Sequence, residues 1–308
     1  MLSKVGQDAF GNLLIETLIG AGVDTRAIVQ SDSRATALAV VNIDAQGQSE
    51  FSFYREGCAD AGYSPLFTFG DGIVYDGKGH LYLSDSGTVN IRRVDVATGA
   101  TITITKTISL GSSLTMNGAG DAIYFARGSS VQAWDPTKPD ETKPVAGVEG
   151  ARGTSDGAAL SARFLTASGL CLDRSLGVLV VSDVEAGTIR KLDLAKGEVS
   201  TVAGVAGQLD HVDGVGNAAR FRGPKNVGCA GNGEVFVTDT EASTLRRLDL
   251  ATGAVTTVAG SPRQSVLAPG PLPSTLNRPV QPIVLSPREI VVASEVEAAL
   301  ALVVLPQK

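Results

Sequence analysis

The chain has 308 residues, enough to bury a sizeable core without disulfide or metal help. With 36 Gly and 13 Pro, and only 19% charged and 5% aromatic residues, it suits many short strands and tight turns better than charged helices. The 26 Lys and Arg against 32 Asp and Glu leave a net charge of −6, which argues against nucleic acid and anionic membrane as partners.

In chain order, Met1–Asp8 lacks the apolar core of a signal peptide, and no apolar run is long enough to span a bilayer. The expected location is therefore cytoplasmic. Asp8 can cap a helix in which Phe10, Leu13, Leu14 and Leu18 recur at helical spacing, ended by Gly20 and Gly22. Ala37–Ile43 and Glu50–Tyr54 read as two strands around the Gly-bearing turn Ala45–Gln48. One helix and one hairpin cannot enclose a core alone, so residues 1–62 form a small α+β fragment that must dock on something.

From about residue 70 the chain repeats. Each unit carries a short apolar strand: Leu81–Asp85, Ile123–Arg127, Leu179–Asp183, Val235–Asp239 and Ile290–Ser294. Gly79, Gly177 or Gly233 opens three of these strands. Ile91–Asp95, Ile189–Asp193 or Leu245–Asp249 follows them. After a Gly turn comes an outer strand, as in Glu198–Gly204 and Ala254–Gly260. About four antiparallel strands per unit, repeated radially, predict a mainly β chain whose residues 63–308 form a β-propeller.

The Asp-to-Ile-Arg spacing, the Thr-Val-Ala-Gly ends, and the loops Thr154–Gly157 with Ala162–Phe164 and His211–Gly214 with Ala219–Phe221 resemble NHL-repeat propellers. The resemblance covers residues 70–308. It implies a rigid platform with loops converging on two faces and usually six blades; the repeats here count five, or six if N-terminal strands contribute. Leu66–Phe69 could close the last unit as its outer strand. Residues 3–62 resemble a different family, the ribokinase-like (PfkB) sugar kinases, closest to fructokinases. Lys4–Gly11, Gly22–Thr25, Thr36–Ala39, Phe51–Arg55 and Ala59-Asp60 carry that likeness. It implies an αβ element of a Rossmann-like core and a lid hairpin, with Phe51, Phe53 and Arg55 as remnants of the lid over the sugar.

Those kinases place a catalytic Asp in a Gly-Ala-Gly-Asp motif at a helix N-terminus. Gly118–Asp121 has those residues but precedes a strand in the repeat slot of a turn, so the motif predicts a hairpin turn and no catalytic residue. Asp85, Asp183 and Asp239 recur with Arg92, Arg190 and Arg246, as an architectural set would. Phe164 and Phe221 are expected as core anchors between blades. The three cysteines, Cys58, Cys171 and Cys229, form no framework and no C-x-x-C pair, so neither a disulfide scaffold nor a thiolate zinc site is expected. Cys171 and Cys229 are offset by two residues in the repeat and read as buried, inert thiols. Some NHL-like propellers are lyases or lactonases with channel metals. Asp76, Asn117, Asp173 and Asn226, one per unit, are the oxygen ligands such an ion would find here. The reading favoured is a non-catalytic module without cofactor, binding a protein, peptide or glycan through its loops. Arg152, Asp156 and Arg163 in one loop, and Asp210, His211, Asp213, Arg220 and Arg222 in the other, are its candidate contacts, with Asp156-Gly157 and Asp213-Gly214 as possible plain turns. The alternative is a truncated or fused sugar kinase.

Overall fold

Alternating apolar residues in each repeat need a neighbouring sheet to bury them, and this is how the chain folds. The computed structural model describes residues 3–7, 12, 15–16, 19, 28–31, 38–43, 49–54, 72–85, 90–105, 113–262, 264, 274–294, 296 and 300–306. The chain divides into two units, Met1–Phe69 and Gly70–Lys308.

In the first unit, β1 (Ser3–Gly6) pairs in parallel with β2 (Ile28–Ser31). Asn12, Ile15, Glu16 and Ile19, which lie between them in the chain, are helical. Asp8, Phe10, Leu13, Leu14 and Leu18, on which the helix expectation rested, lie outside the described residues. The hairpin is present: β3 (Leu38–Ile43) runs antiparallel to β4 (Ser49–Tyr54), with Leu38 opposite Tyr54. The parallel pair was not expected, because four-residue strands show too little alternation to read.

The second unit holds five antiparallel sheets. Blade 1 comprises β5 (Ile73–Tyr75), β6 (His80–Asp85), β7 (Asn90–Asp95) and β8 (Thr101–Thr105). Blade 2 comprises β9 (Leu114–Met116), β10 (Ile123–Arg127), β11 (Ser130–Trp134) and β12 (Thr142–Gly147). In blade 3, β13 (Gly157–Ala158) adds to the outer edge of β14 (Ala167–Asp173), β15 (Val178–Asp183), β16 (Thr188–Asp193) and β17 (Glu198–Ala203). Blade 4 repeats this with β18 (Gly214–Val215), β19 (Pro224–Cys229), β20 (Glu234–Asp239), β21 (Thr244–Asp249) and β22 (Ala254–Ala259). Blade 5 has β23 (Pro279–Ser286), β24 (Glu289–Ser294) and β25 (Leu300–Val304). The inner strands lie in the order β5, β9, β14, β19, β23. The five-bladed, mainly β reading holds. Leu66–Phe69, the candidate closing strand, lies outside the described residues.

Each core is a seam between consecutive blades. Tyr82 and Ile91 of blade 1 meet Phe125 and Trp134 of blade 2. Phe164 packs with Val131 of blade 2 and Leu179 of blade 3, and Phe221 with Val180 of blade 3 and Val237 of blade 4. Phe236 of blade 4 meets Ile290 and Val303 of blade 5. Both anchor phenylalanines are fully buried, as expected.

The recurrent Thr-Val-Ala-Gly ends have a packing cause. Pairing between β16 and β17 shifts at Ile189/Arg190, leaving Val202 as an extra residue, and β21 with β22 does the same at Leu245/Arg246 with Val258. Ile104 occupies the equivalent place in blade 1. A bulge redirects a side chain, and here Ile104, Val202 and Val258 each enter the seam with the next blade. The closing Gly260 has φ 86°, and a Cβ there would overlap the Ser243 carbonyl.

Two expectations need correcting. Cys171 and Cys229 are joined in a disulfide, with Cα atoms 5.6 Å apart, and are not free thiols. The repeat offset misled because inner strands of adjacent blades are not level. A Cβ on Gly169 would overlap Asn226, and Ser182 Oγ donates to the Lys225 carbonyl, so β14 and β19 run staggered beyond the 56-residue repeat. Cys171 thereby faces the residue 58 positions on. Nor are Gly157 and Gly214 plain turn residues: each begins a two-residue strand on an outer edge.

Candidate functional site

The loops that enter blades 3 and 4 are built on buried carboxylates. Asp183, at the end of β15, accepts the backbone N–H groups of Leu165 and Thr166 at 2.9 and 2.8 Å. Asp239, at the end of β20, accepts those of Arg222 at 3.0 and 3.2 Å and Gly223 at 2.7 Å. Burial pushes both carboxyl groups above their ordinary pKa, although these N–H bonds and the nearby arginine pull the other way.

Arg190 and Arg246 follow Ile189 and Leu245 in their strands, so side-chain alternation turns them into the opposite seam. Arg246 is fully buried over the Phe221 ring, its carbon 5.2 Å from the centroid, and donates to Asp213 at 2.6 Å and Asp239 at 3.3 Å. Arg190 sits likewise over Phe164 at 5.0 Å, paired to Asp156 at 2.5 Å, with Asp183 at 3.9 Å. The strand-end Asp and Arg therefore belong to one architectural set, but the tighter carboxylate in each blade comes from the loop. Asp156 also accepts from Thr201 N–H, and Asp213 from Thr257 N–H, which pins each loop to the outer strand. Burial opposes ionisation of Asp213, yet Thr257 and Arg246 hold its carboxyl below the usual range.

Five of the eight loop candidates are thus occupied in holding the loops. Besides Asp156 and Asp213, Arg152 pairs with Glu185, Arg163 donates to the carbonyls of Leu160, Ser161 and Ala162, and Arg220 is held by Gln208, Asn217 and Ala219. The remaining three converge. Asp210, His211 and Arg222, with Ala242 and Pro262, line a cleft of about 400 Å³ beside blade 4. Asp210 N–H donates to the Phe221 carbonyl at 3.2 Å, which sets it across from the residue before Arg222. His211 Nε2 lies 3.2 Å from Thr257 Oγ1, and burial, then the Arg246 charge, lowers the pKa of its ring. The Arg222 guanidinium is exposed and has no hydrogen bond or ion pair among the described residues.

Three of the four oxygen ligands proposed for a metal are engaged elsewhere. Asp76 accepts from the Lys78 and His80 N–H groups and lies 2.9 Å from His80 Nδ1; burial works against its charge, but these bonds hold its pKa low. Asn117 and Asp173 likewise cap turns, Asn117 through Asp121 and Ala122 and Asp173 through Ser175, Leu176 and Gly233. Asn226 sits mid-strand on β19, out of line with those three. Among the described residues no group of three or more His, Cys, Asp or Glu is placed to hold a metal ion. Gly118–Asp121 forms the turn between β9 and β10. Phe51 and Phe53 are on β4, while their side chains and Arg55 lie outside the described residues.

Sequence reading missed the hydroxyl one residue before the strand-end Asp. Ser84, Ser182 and Thr238 accept from Gly72, Gly169 and Asn226 N–H and so tie each second strand to the inner one. The recurring Ser-Asp or Thr-Asp pair was the available signal. Ala242 and Pro262 carried none, because the cleft joins residues far apart in the chain.

Comparison with known proteins gives a different result for each part. Residues 1–67 match the pfkB family carbohydrate kinase. This region is 42% identical over 59 residues to fructokinase-1 of Zea mays, 19% of this chain and 18% of that protein. Over 234 residues, 67% of this chain, the sequence is 24% identical to protein SUPPRESSOR OF QUENCHING 1, chloroplastic, of Arabidopsis thaliana, and covers 22% of it. A structural genomics protein of unknown function from Bacteroides thetaiotaomicron superposes with a TM-score of 0.64 at 19% identity, over 87% of this chain and 67% of that one. The chain joins a pfkB-type N-terminal segment to a five-bladed propeller. It spans about a fifth of the length of these curated relatives. No helix among the described residues is long and apolar enough to cross a membrane.

Proposed function

We propose that this chain is a non-catalytic binding module that recognises a protein, peptide or glycan through the loop face of its propeller, with Asp210, His211 and Arg222 as the contact residues. A propeller fits a binding scaffold, because rigid sheets hold its loops in fixed positions. The observation that carries the reading is the contrast among arginines. Arg152, Arg163, Arg190, Arg220 and Arg246 are all held by the protein, whereas Arg222 stands open in a cleft. The NHL-like repeats and a propeller's converging loops support the same reading. The test is a peptide and glycan array probed with the full chain and with Arg222→Ala. Signals that vanish with the substitution support the site, and signals that persist unchanged place recognition elsewhere.

A second reading, ATP-dependent phosphorylation of a sugar, is favoured by the match of residues 1–67 to carbohydrate kinases. Against it stands Gly118–Asp121, whose turn offers no helix N-terminus to hold phosphoryl oxygens. Coupled ADP release with fructose and ATP decides between them; sustained turnover overturns the binding-module reading.

A further inference from the structure

The cleft between the blade 4 loop and Pro262 has a chemistry narrower than general recognition. Arg222 is pinned through its backbone, since its N–H and that of Gly223 both bond to the buried Asp239. Its Cα is therefore fixed while its guanidinium stays open, which is the pre-organisation a bidentate anion contact needs. Asp210 is half committed: Oδ1 accepts from the His211 N–H at 2.8 Å, and the other oxygen has no partner among the described residues. Among the described residues the cleft thus presents one open guanidinium and one acceptor, beside an apolar wall of Ala242 and Pro262.

That pairing selects against a phosphate or sulfate. A dianion would face Asp210 on a chain already at −6, with Arg222 the one open guanidinium among the described lining residues to balance it. It suits a group that carries one negative charge and an N–H close beside it. The last residue of a peptide has both, because its amide nitrogen and terminal carboxylate flank the same Cα. A cleft of about 400 Å³ accommodates such a residue.

Building on the loop-face reading, we propose that this cleft captures the free C-terminus of a peptide. The terminal carboxylate sits on the Arg222 guanidinium, the last amide N–H donates to Asp210, and a small apolar final side chain rests against Ala242 and Pro262. Burial and the Arg246 charge lower the pKa of His211, which disfavours a second positive charge there.

The test uses the full chain and a library of dye-labelled pentapeptides with varied final residues, each made as the free acid and as the C-terminal amide, read by fluorescence polarisation. Free acids ending in Ala or Val are expected to bind, and their amides at least tenfold more weakly. Arg222→Gln is expected to cost at least tenfold, Arg222→Lys less, and Asp210→Asn a few-fold, with melting temperatures within about 2 °C of the parent, as exposed positions allow. Amides binding as tightly as acids, but still dependent on Arg222, would overturn C-terminal capture in favour of a side-chain carboxylate and leave the loop-face reading standing. Arg222-dependent glycan binding with no peptide bound would do the same. Peptide binding indifferent to both substitutions would overturn the capture and the site together.

Discussion

Arg246, like Arg190, places its charge inside the second unit rather than on its surface. Its guanidinium is fully buried between Asp213, Asp239 and the Phe221 ring. Truncation leaves Asp239 buried without its cation, so Arg246→Leu is expected to lower stability by about 3–5 kcal/mol, read from urea midpoints. Arg190→Leu tests the equivalent place, where Asp183 is equally buried. His211 supplies a pH signature. Its folded pKa is depressed, so the native state resists the proton that the unfolded chain accepts below about 6.5. The resulting stability is present above that value and is lost as pH falls through the folded pKa. Urea melts of the parent should steepen their decline below pH 6.5, and His211→Gln should remove that component; identical profiles would refute it. The recurrence of Asp and Arg was legible in the sequence. Their partners Asp156 and Asp213 were not, because each lies more than thirty residues from its arginine in a loop whose path the repeat spacing does not give.

Strands and hairpins could be read wherever a short apolar run ended in Ser-Asp or Thr-Asp and a second strand followed at fixed spacing, as in β15 with β16 and β20 with β21. What escaped were features with no period of their own: the two-residue strands β13 and β18, and the extra residues Val202 and Val258. Blade 5 differs from the others in kind. Among the described residues its sheet has three strands, and β25 is an edge on which Leu302 and Val304 are 58% and 50% exposed. An uncharged, Pro-free edge of Leu, Ala and Val offers a template for pairing with another chain. Leu302→Lys is expected to change folding stability by no more than about 0.5 kcal/mol while lowering concentration-dependent light scattering. Unchanged scattering would show that this edge does not associate.

At the scale of the propeller unit, stability divides into seams between neighbouring blades, so each blade depends on the next more than on itself. The Cys171–Cys229 bridge reinforces the seam between blades 3 and 4. Replacing both cysteines by serine, or adding reductant, is expected to lower stability by about 2–4 kcal/mol, measured by denaturant unfolding, whereas a bridge absent in solution would leave the two curves superposed. Counting residues could not disclose this bridge, because the repeat length describes positions within a blade and not the stagger between blades. The 1–67 match and the repeats from residue 70 were both legible, since each rests on motifs contiguous in the chain.

The bridge also encloses the loop that carries Asp210 and His211. A protease that cuts this loop, anywhere between residues 171 and 229, severs the backbone without releasing a fragment. The nicked molecule should migrate as one band on a non-reducing gel and as two after thiol treatment. Recognition can therefore be lost by a cut that ordinary sizing would never detect.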